Sequence, residues 1–238
     1  MPQAFTIISA RFARDLSAGD DQSGTPAGAV MAMAGSEVEW AETGAPSRRR
    51  AIRTWIVIWP QRDLARSYLD RRFEAIPLLA SSEEHWCGLM VPYQTHGDLN
   101  WVPDGTSAAV FSQLGPRPKP GRPIFVMTTL GIGTPGEGMV PFGKGTRAVR
   151  QAFSDLPSVI LEQQLLPDAH GADAPTLTLW ESEAEVVNAA YRMEPHRSAM
   201  KVADYPDLAR GSFTRMALLW ADGHWEGVDL SSRAAIKA

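Results

Sequence analysis

Of the five histidines in this chain, His196 stands apart because Pro195 precedes it in the stretch Met193-Glu194-Pro195-His196-Arg197-Ser198-Ala199-Met200, which otherwise reads as helix. Proline suits the first position of a helix, where no amide hydrogen is needed. The imidazole then falls in the first turn, whose positive end disfavours imidazolium and keeps the ring neutral, the form that ligates iron. Met193 and Met200 share its helical side and would wall an apolar group, while Arg192 and Arg197 flank it as candidate partners for acidic substituents or as solvated helix charges. The plainer alternative is a half-exposed histidine at a helix start with no ligand.

Arg215 is the second candidate. It lies in the apolar strand-like stretch Ser212-Phe213-Thr214-Arg215-Met216-Ala217-Leu218, where a guanidinium needs a partner. It would either stabilise negative charge on a bound oxygen, hold an acidic group, or form an ion pair on the outer strand face. The other histidines, His85, His96, His170 and His224, show no HxH, HxxE or HxxxH spacing, so a non-haem iron or zinc site has no ligand set to build on. Gly131, Gly133 and Gly136 satisfy GxGxxG, but the following TPGEGMVPFGKG delays the helix that a dinucleotide pyrophosphate requires, and Glu137 opposes phosphate. A glycine loop at a cavity rim is the better reading. Cys87, between Trp86 and Gly88, has no neighbouring base and reads as a structural residue of a buried strand.

The elements that must position these residues come from an internal repeat. TWIVIWPQRDLARSYLDRR from Thr54 and TLTLWESEAEVVNAAYR from Thr176 each run as a strand ending in Trp59 or Trp180 and then a helix, half a chain apart. Ser182 with Glu183 and Glu185 is a helix-start signal, and Val186, Val187, Ala189, Ala190 and Met193 form its apolar stripe. In the first copy Leu64, Ala65, Tyr68, Leu69 and Phe73 do the same, and Ala75 takes the place of His196. With PIFVMTTLGIG, GTRAVRQAFSDL, SVILEQQLL and SFTRMALLWA, the second half reads strand, helix, strand, strand, helix, strand. That order predicts an α+β fold of two tandem ferredoxin-like halves packed sheet to sheet with a cavity between them. The halves span residues 1–96 and 123–238, and the proline- and glycine-punctuated 97–122 reads as a linker. Residues Ser17 to Gly35 read as a loop or a degraded first helix, which makes the first half the less regular copy.

These residues carry a resemblance. TLTLWES, the Pro195-His196 pair, the strand bearing Arg215, PIFVMTTLGIG, VRQAFSDLPSVI and, in the first half, IVIWP are similar to the dimeric α+β barrel superfamily. Within it they most resemble the spheroidene monooxygenase family of carotenoid ketolases. The resemblance implies a dimeric-α+β-barrel-type arrangement and one haem b between sheet and helices of the second half. In this picture His196 is the axial ligand, Arg192, Arg197, Met193 and Met200 line the haem, and Arg215 is the catalytic cation. It further implies monooxygenase chemistry on an apolar or aromatic metabolite, with a separate electron donor because no redox module is present. Haem-dependent dehydratases and peroxidases share the barrel and form the alternative; a cofactor-free binding barrel or a cofactor-independent monooxygenase is a third.

Composition bounds the rest. A net charge of −4 with interspersed signs gives no field for nucleic acid, and one cysteine excludes an internal disulfide or a cysteine-held cluster. The start MPQAFTIISARF lacks a leader pattern and no apolar run reaches a membrane span, so a cytoplasmic protein is expected. Whether the barrel closes within one chain or between two copies stays open, which keeps a homodimer among the expectations.

Overall fold

The computed structural model describes residues 2–17, 20–21, 24–97, 99, 111–131, 138–169, 172–202 and 210–233. The first half runs β1 (Ala4–Arg11), β2 (Met31–Trp40), β3 (Pro46–Trp59), α1 (Arg62–Asp70), α2 (Arg72–Ala75), a 3-10 turn (Pro77–Ser81) and β4 (Glu84–Gly97). The second runs β5 (Ile124–Gly131), α3 (Met139–Ser154), β6 (Val159–Pro167), β7 (Ala174–Trp180), α4 (Glu183–Arg192), α5 (Glu194–Val202) and β8 (Arg210–Trp225), followed by β9 (Val228–Asp229) and α6 (Leu230–Arg233).

The strands are ordered β4-β1-β3-β2-β6-β7-β5-β8, and β8 pairs back onto β4, so eight antiparallel strands close into a barrel. Each half contributes its strands in the same order, fourth, first, third, second. The repeat is visible in the register: Trp59 at the end of β3 pairs with Ala4, and Trp180 at the end of β7 pairs with Ile124.

Closure departs from the expected sheet-on-sheet packing. Edge strands join edge to edge, because an unpaired edge leaves a row of backbone groups unsatisfied. The β4–β8 seam is long, from Trp86 opposite Gly223 to Gly97 opposite Ser212, while β2–β6 pairs only Gly35 to Glu37 with Pro167 to Leu165. At Gly35 a Cβ would lie 2.6 Å from the Leu166 carbonyl oxygen, so this short seam requires a glycine. Arg48 reinforces it by donating to the Leu166 and Pro167 carbonyls at 3.0 and 2.7 Å.

The expected cavity between the sheets is filled instead by a core drawn from every strand. Phe5, Ile7, Met33, Ile56, Met90, Phe125, Met127, Leu165, Leu177 and Met216 belong to one buried cluster. Each such side chain contributes about 1.5–3 kcal/mol on leaving water. Leu99 and Phe111, from the stretch read as a linker, join the same cluster. One polar bridge crosses the interior: Ser9 donates to Gln163 Oε1 at 2.9 Å and lies 2.9 Å from the Thr54 hydroxyl.

Both halves also bury the outer sheet face beneath helices. In the first, Ile8, Trp55, Val57 and Trp59 meet Ala65, Tyr68 and Leu69 of α1. In the second, Ile124, Val126 and Trp180 meet Phe153 of α3 and Val186 and Ala189 of α4. The Ser17 to Gly35 reading needs correction at its end, since β2 begins at Met31. Its Met, Ala, Gly and Ser content hides a strand because two small residues, Ala32 and Ala34, face outward.

Candidate functional site

Helix α4 starts as its residues require: the Ser182 side chain accepts from the Glu185 amide, and Glu183 and Glu185 lie in the positive first turn. The chain bends at Met193, an extended residue, and α5 restarts at Glu194 with Pro195 next, so His196 does sit in a first helical turn. Helix α5 packs on α3, where Ala199 Cβ lies 3.5 Å from the position a Gly145 side chain would occupy.

The His196 ring is held at two places. Nδ1 lies 3.0 Å from the Ala190 carbonyl oxygen, which can only accept, so Nδ1 carries the proton and Nε2 is the lone-pair nitrogen. The ring face stacks on Phe153 at 6.1 Å between centroids with a 16° interplanar angle, and Phe153 in turn meets Trp180 edge-on at 5.0 Å. Burial lowers the His196 pKa, partly offset by the Ala190 contact, which keeps the ring neutral at physiological pH. The stack engages the ring face and the carbonyl engages Nδ1, so Nε2 is the nitrogen that would hold a metal. The Nδ1–carbonyl anchor is the arrangement that orients a ligating histidine.

Arg215 takes the ion-pair setting that is one of its expected roles. It is buried at 7% exposure on the outer face of β8, with Nη1 donating to Glu183 Oε1 at 2.9 Å and to Gln94 Oε1 at 3.3 Å, over the Phe213 ring. The outer-strand ion pair is therefore real but buried rather than solvated. Arg117 donates to the other Glu183 oxygen at 2.8 Å. Burial opposes ionisation of Glu183, but the two arginines prevail and hold its pKa below the ordinary value. Among the described residues two polar atoms here are buried without a hydrogen-bond partner, Arg215 Nε and the Tyr93 hydroxyl. Burial, then the Glu183 charge, push the Tyr93 pKa up, so its phenol is neutral.

The two candidates occupy opposite ends of α4. Glu183, which holds Arg215, opens the helix, and Ala190, which holds His196, lies two turns on, about 10 Å along the axis. Of the other expected site residues, Met193 packs half-buried against the second-half core, Arg192 is exposed in the last turn of α4, and Arg197 is exposed with Glu194 at 3.8 Å. The Met200 side chain and most of the GxGxxG stretch, residues 132–137, lie outside the described residues. Among the described residues no three His, Cys, Asp or Glu side chains converge as a metal site. Cys87 is fully buried in β4, and burial raises its pKa to about 12.

Sequence reasoning missed a second buried charge cluster at the β2–β6 seam. Arg150 of α3 reaches Glu162 of β6 at 2.8 Å and Glu37 of β2 at 2.5 Å, and Arg49 holds the other Glu37 oxygen at 3.1 Å. Burial drives the Glu162 pKa to about 7 despite Arg150, because that arginine is shared with Glu37. No local pattern foretells this cluster, since its members come from four elements, β2 and β3 on one side of the seam and α3 and β6 on the other.

No protein-family model matches the chain, and no curated protein matches it. Solved structures do. An aldoxime dehydratase superposes with a TM-score of 0.50 at 10% identity, covering 91% of this chain and 80% of that one. A second aldoxime dehydratase, in complex with butyraldoxime, gives 0.48 at 7% identity over 91% of this chain and 79% of that one. A candidate monooxygenase from Lactobacillus acidophilus NCFM gives 0.39 at 6% identity over 92% and 94% of the two chains. Taken with the strand order and the closed seam, the first of these establishes that this chain shares its α+β barrel fold with aldoxime dehydratase.

Proposed function

We propose that the chain is a haem b-dependent oxidoreductase of the oxygenase type, resembling the carotenoid ketolases, built from two tandem ferredoxin-like halves and acting on an apolar or aromatic metabolite. The observation that carries this reading is the setting of His196: neutral, anchored through Nδ1 to the Ala190 carbonyl, steadied by Phe153, and presenting Nε2 with no hydrogen-bond partner among the described residues. These features fit one axial imidazole, which is all that haem requires of the protein.

When bound, the haem would supply activation of dioxygen, with electrons from a separate donor, or of peroxide. The chain's own residues supply the rest. His196 offers a fixed nitrogen, Met193 an apolar contact beside it, and the exposed guanidinia of Arg192 and Arg197 cationic partners for propionates. Arg215 is the candidate catalytic cation; Nη1 is committed to Glu183 and Gln94, while its buried Nε–H has no partner among the described residues and could donate to an oxygen atom.

The test is a visible spectrum of the full chain expressed with haem supply, beside the His196→Ala variant. A Soret band that His196→Ala loses, while the variant keeps its circular dichroism, supports the reading. Colourless protein that refuses haemin titration overturns it. Turnover that needs dioxygen and a reductant separates the oxygenase from a peroxidase, which needs only peroxide, and from a dehydratase, which works under nitrogen.

A further inference from the structure

The two halves cover their outer sheet faces unequally. In the second half α3 lies over the sheet and fills the space with Phe153. Among the described residues between β1 and β2 of the first half there is no helix, and Gly24 to Ala27 stand over this part of the sheet. The result is an open cavity of about 380 Å³ between this segment and α1–α2, lined by Pro26, Trp59, Leu64, Tyr68, Arg71 and Ala75 among others. A smaller recess of about 100 Å³ shares Tyr68, Pro26 and Ala75 and reaches Trp55, Ala32 and Ala34. The segment is pinned beside it: the Ala29 amide donates to the Pro26 carbonyl at 3.1 Å, Gly28 takes φ +81° as the third residue of such a turn, and the Val30 amide donates to Ile58.

The lining has a definite chemistry. Trp59 and Tyr68 pack ring against ring at 5.1 Å, and the alanines leave flat space beside them. Tyr68 is 8% exposed, lines both chambers, and its hydroxyl has no hydrogen-bond partner among the described residues. Burial, then the Asp21 charge, raise the Tyr68 pKa, so the phenol stays a neutral donor. Asp21 is spent on Arg53 and on the Trp55 indole, and its charge disfavours an anion at the hydroxyl. Arg71 and Glu74 are exposed at the mouth.

We propose that this first-half cavity is a small-molecule site for an uncharged, planar aromatic compound of one to three rings carrying a hydroxyl or keto oxygen, which meets the Tyr68 hydroxyl. It is independent of any group held by His196. Its volume lies within the range of ordinary ligand pockets.

The test titrates the full chain with 2-naphthol and with naphthalene, followed by tryptophan quenching and calorimetry. Saturable one-to-one binding of both is expected, with Tyr68→Phe weakening 2-naphthol about fivefold, the worth of one neutral hydrogen bond, and leaving naphthalene unchanged. Ala75→Trp, at an exposed position, fills the cavity and removes binding of both with the melting temperature retained. Failure of the unaltered chain to bind either compound overturns the proposal, as does undiminished binding in Ala75→Trp. Should Ala75→Trp unfold, the Tyr68→Phe difference between the two probes decides: its presence supports the site and its absence overturns it.

Discussion

The Arg215–Glu183 pair makes an asymmetric prediction. Among the described residues Glu183 has two arginines, Arg215 at 2.9 Å and Arg117 at 2.8 Å, whereas the hydrogen-bond acceptors of Arg215 are one carboxylate and the Gln94 carbonyl at 3.3 Å. The Arg215 side chain is 9% exposed, Glu183 19% and Arg117 69%, so only Arg215 is a charge with no route to water. Removing one member of a buried pair costs about 3–5 kcal/mol because it strands the other. Glu183→Gln strands Arg215 but leaves it the Gln94 carbonyl and a neutral amide, which sets the loss near the low end, about 3 kcal/mol. Arg215→Met leaves Glu183 with Arg117 and fills the guanidinium's apolar channel, so its loss is about 1 kcal/mol. For a chain of this length the two translate to a melting-temperature drop of roughly 6–12 °C against 2–4 °C. The double variant Arg215→Met/Glu183→Gln returns most of the larger loss, because nothing charged is left buried. The sign with pH follows from the lowered Glu183 pKa: its stabilisation is present above the ordinary carboxylate value and lost as pH falls below it. Differential scanning calorimetry of the three variants at pH 7 settles the matter. Equal losses for the two single variants would refute the reasoning.

Three further outcomes follow from other contacts. Phe153→Ala removes the ring that touches both Trp180 and His196 and should cost about 3–5 kcal/mol, read as a lowered urea midpoint with an unchanged slope; a loss under 1 kcal/mol would show that His196 is not steadied by this stack. Glu162, raised to about 7, binds a proton in the folded chain that it has released in the unfolded one, so stability should fall as pH rises from about 4.5 through 7. Glu162→Gln should flatten that slope, and a chevron or melt series showing the same slope in both proteins would contradict it. Cys87, fully buried with its pKa raised to about 12, should resist alkylation by iodoacetamide at pH 8 until the chain unfolds; labelling of the folded protein at the rate of a free thiol would be the contrary result.

What the sequence discloses is local, and what it hides is long-range. Trp59 and Trp180 mark equivalent strand ends because each closes an apolar alternation just before a helix, and the register places them equivalently against Ala4 and Ile124. His196 is found in its first turn because proline announces the helix start two residues after Met193 breaks α4. The Nδ1 partner is a backbone carbonyl, and no side-chain pattern encodes which one. Arg215 reads as anomalous among apolar neighbours, yet its partner Glu183 serves first as a helix-start signal, and only the packing of α4 on β8 shows the second use. Strand β2 escapes notice because alanines stand where large outward residues would normally mark a strand.

Those alanines also bear on how differently the two halves cover their outer sheet faces. A sheet face must be covered, and the second half covers β6 with α3, whose Phe153 reaches Trp180 and supports the His196 ring. Among its described residues the first half shows no such helix between β1 and β2, and its counterpart of His196 is Ala75, which lines the cavity rather than closing it. Had Ala32 and Ala34 been leucines, the face would be filled by side chains and no helix or ligand would be needed. Small residues on an outer strand face instead leave a volume bounded by tryptophan and tyrosine. The barrel supplies the same frame twice, and the difference between Phe153 with His196 on one side and Ala34 with Ala75 on the other decides what each frame can hold.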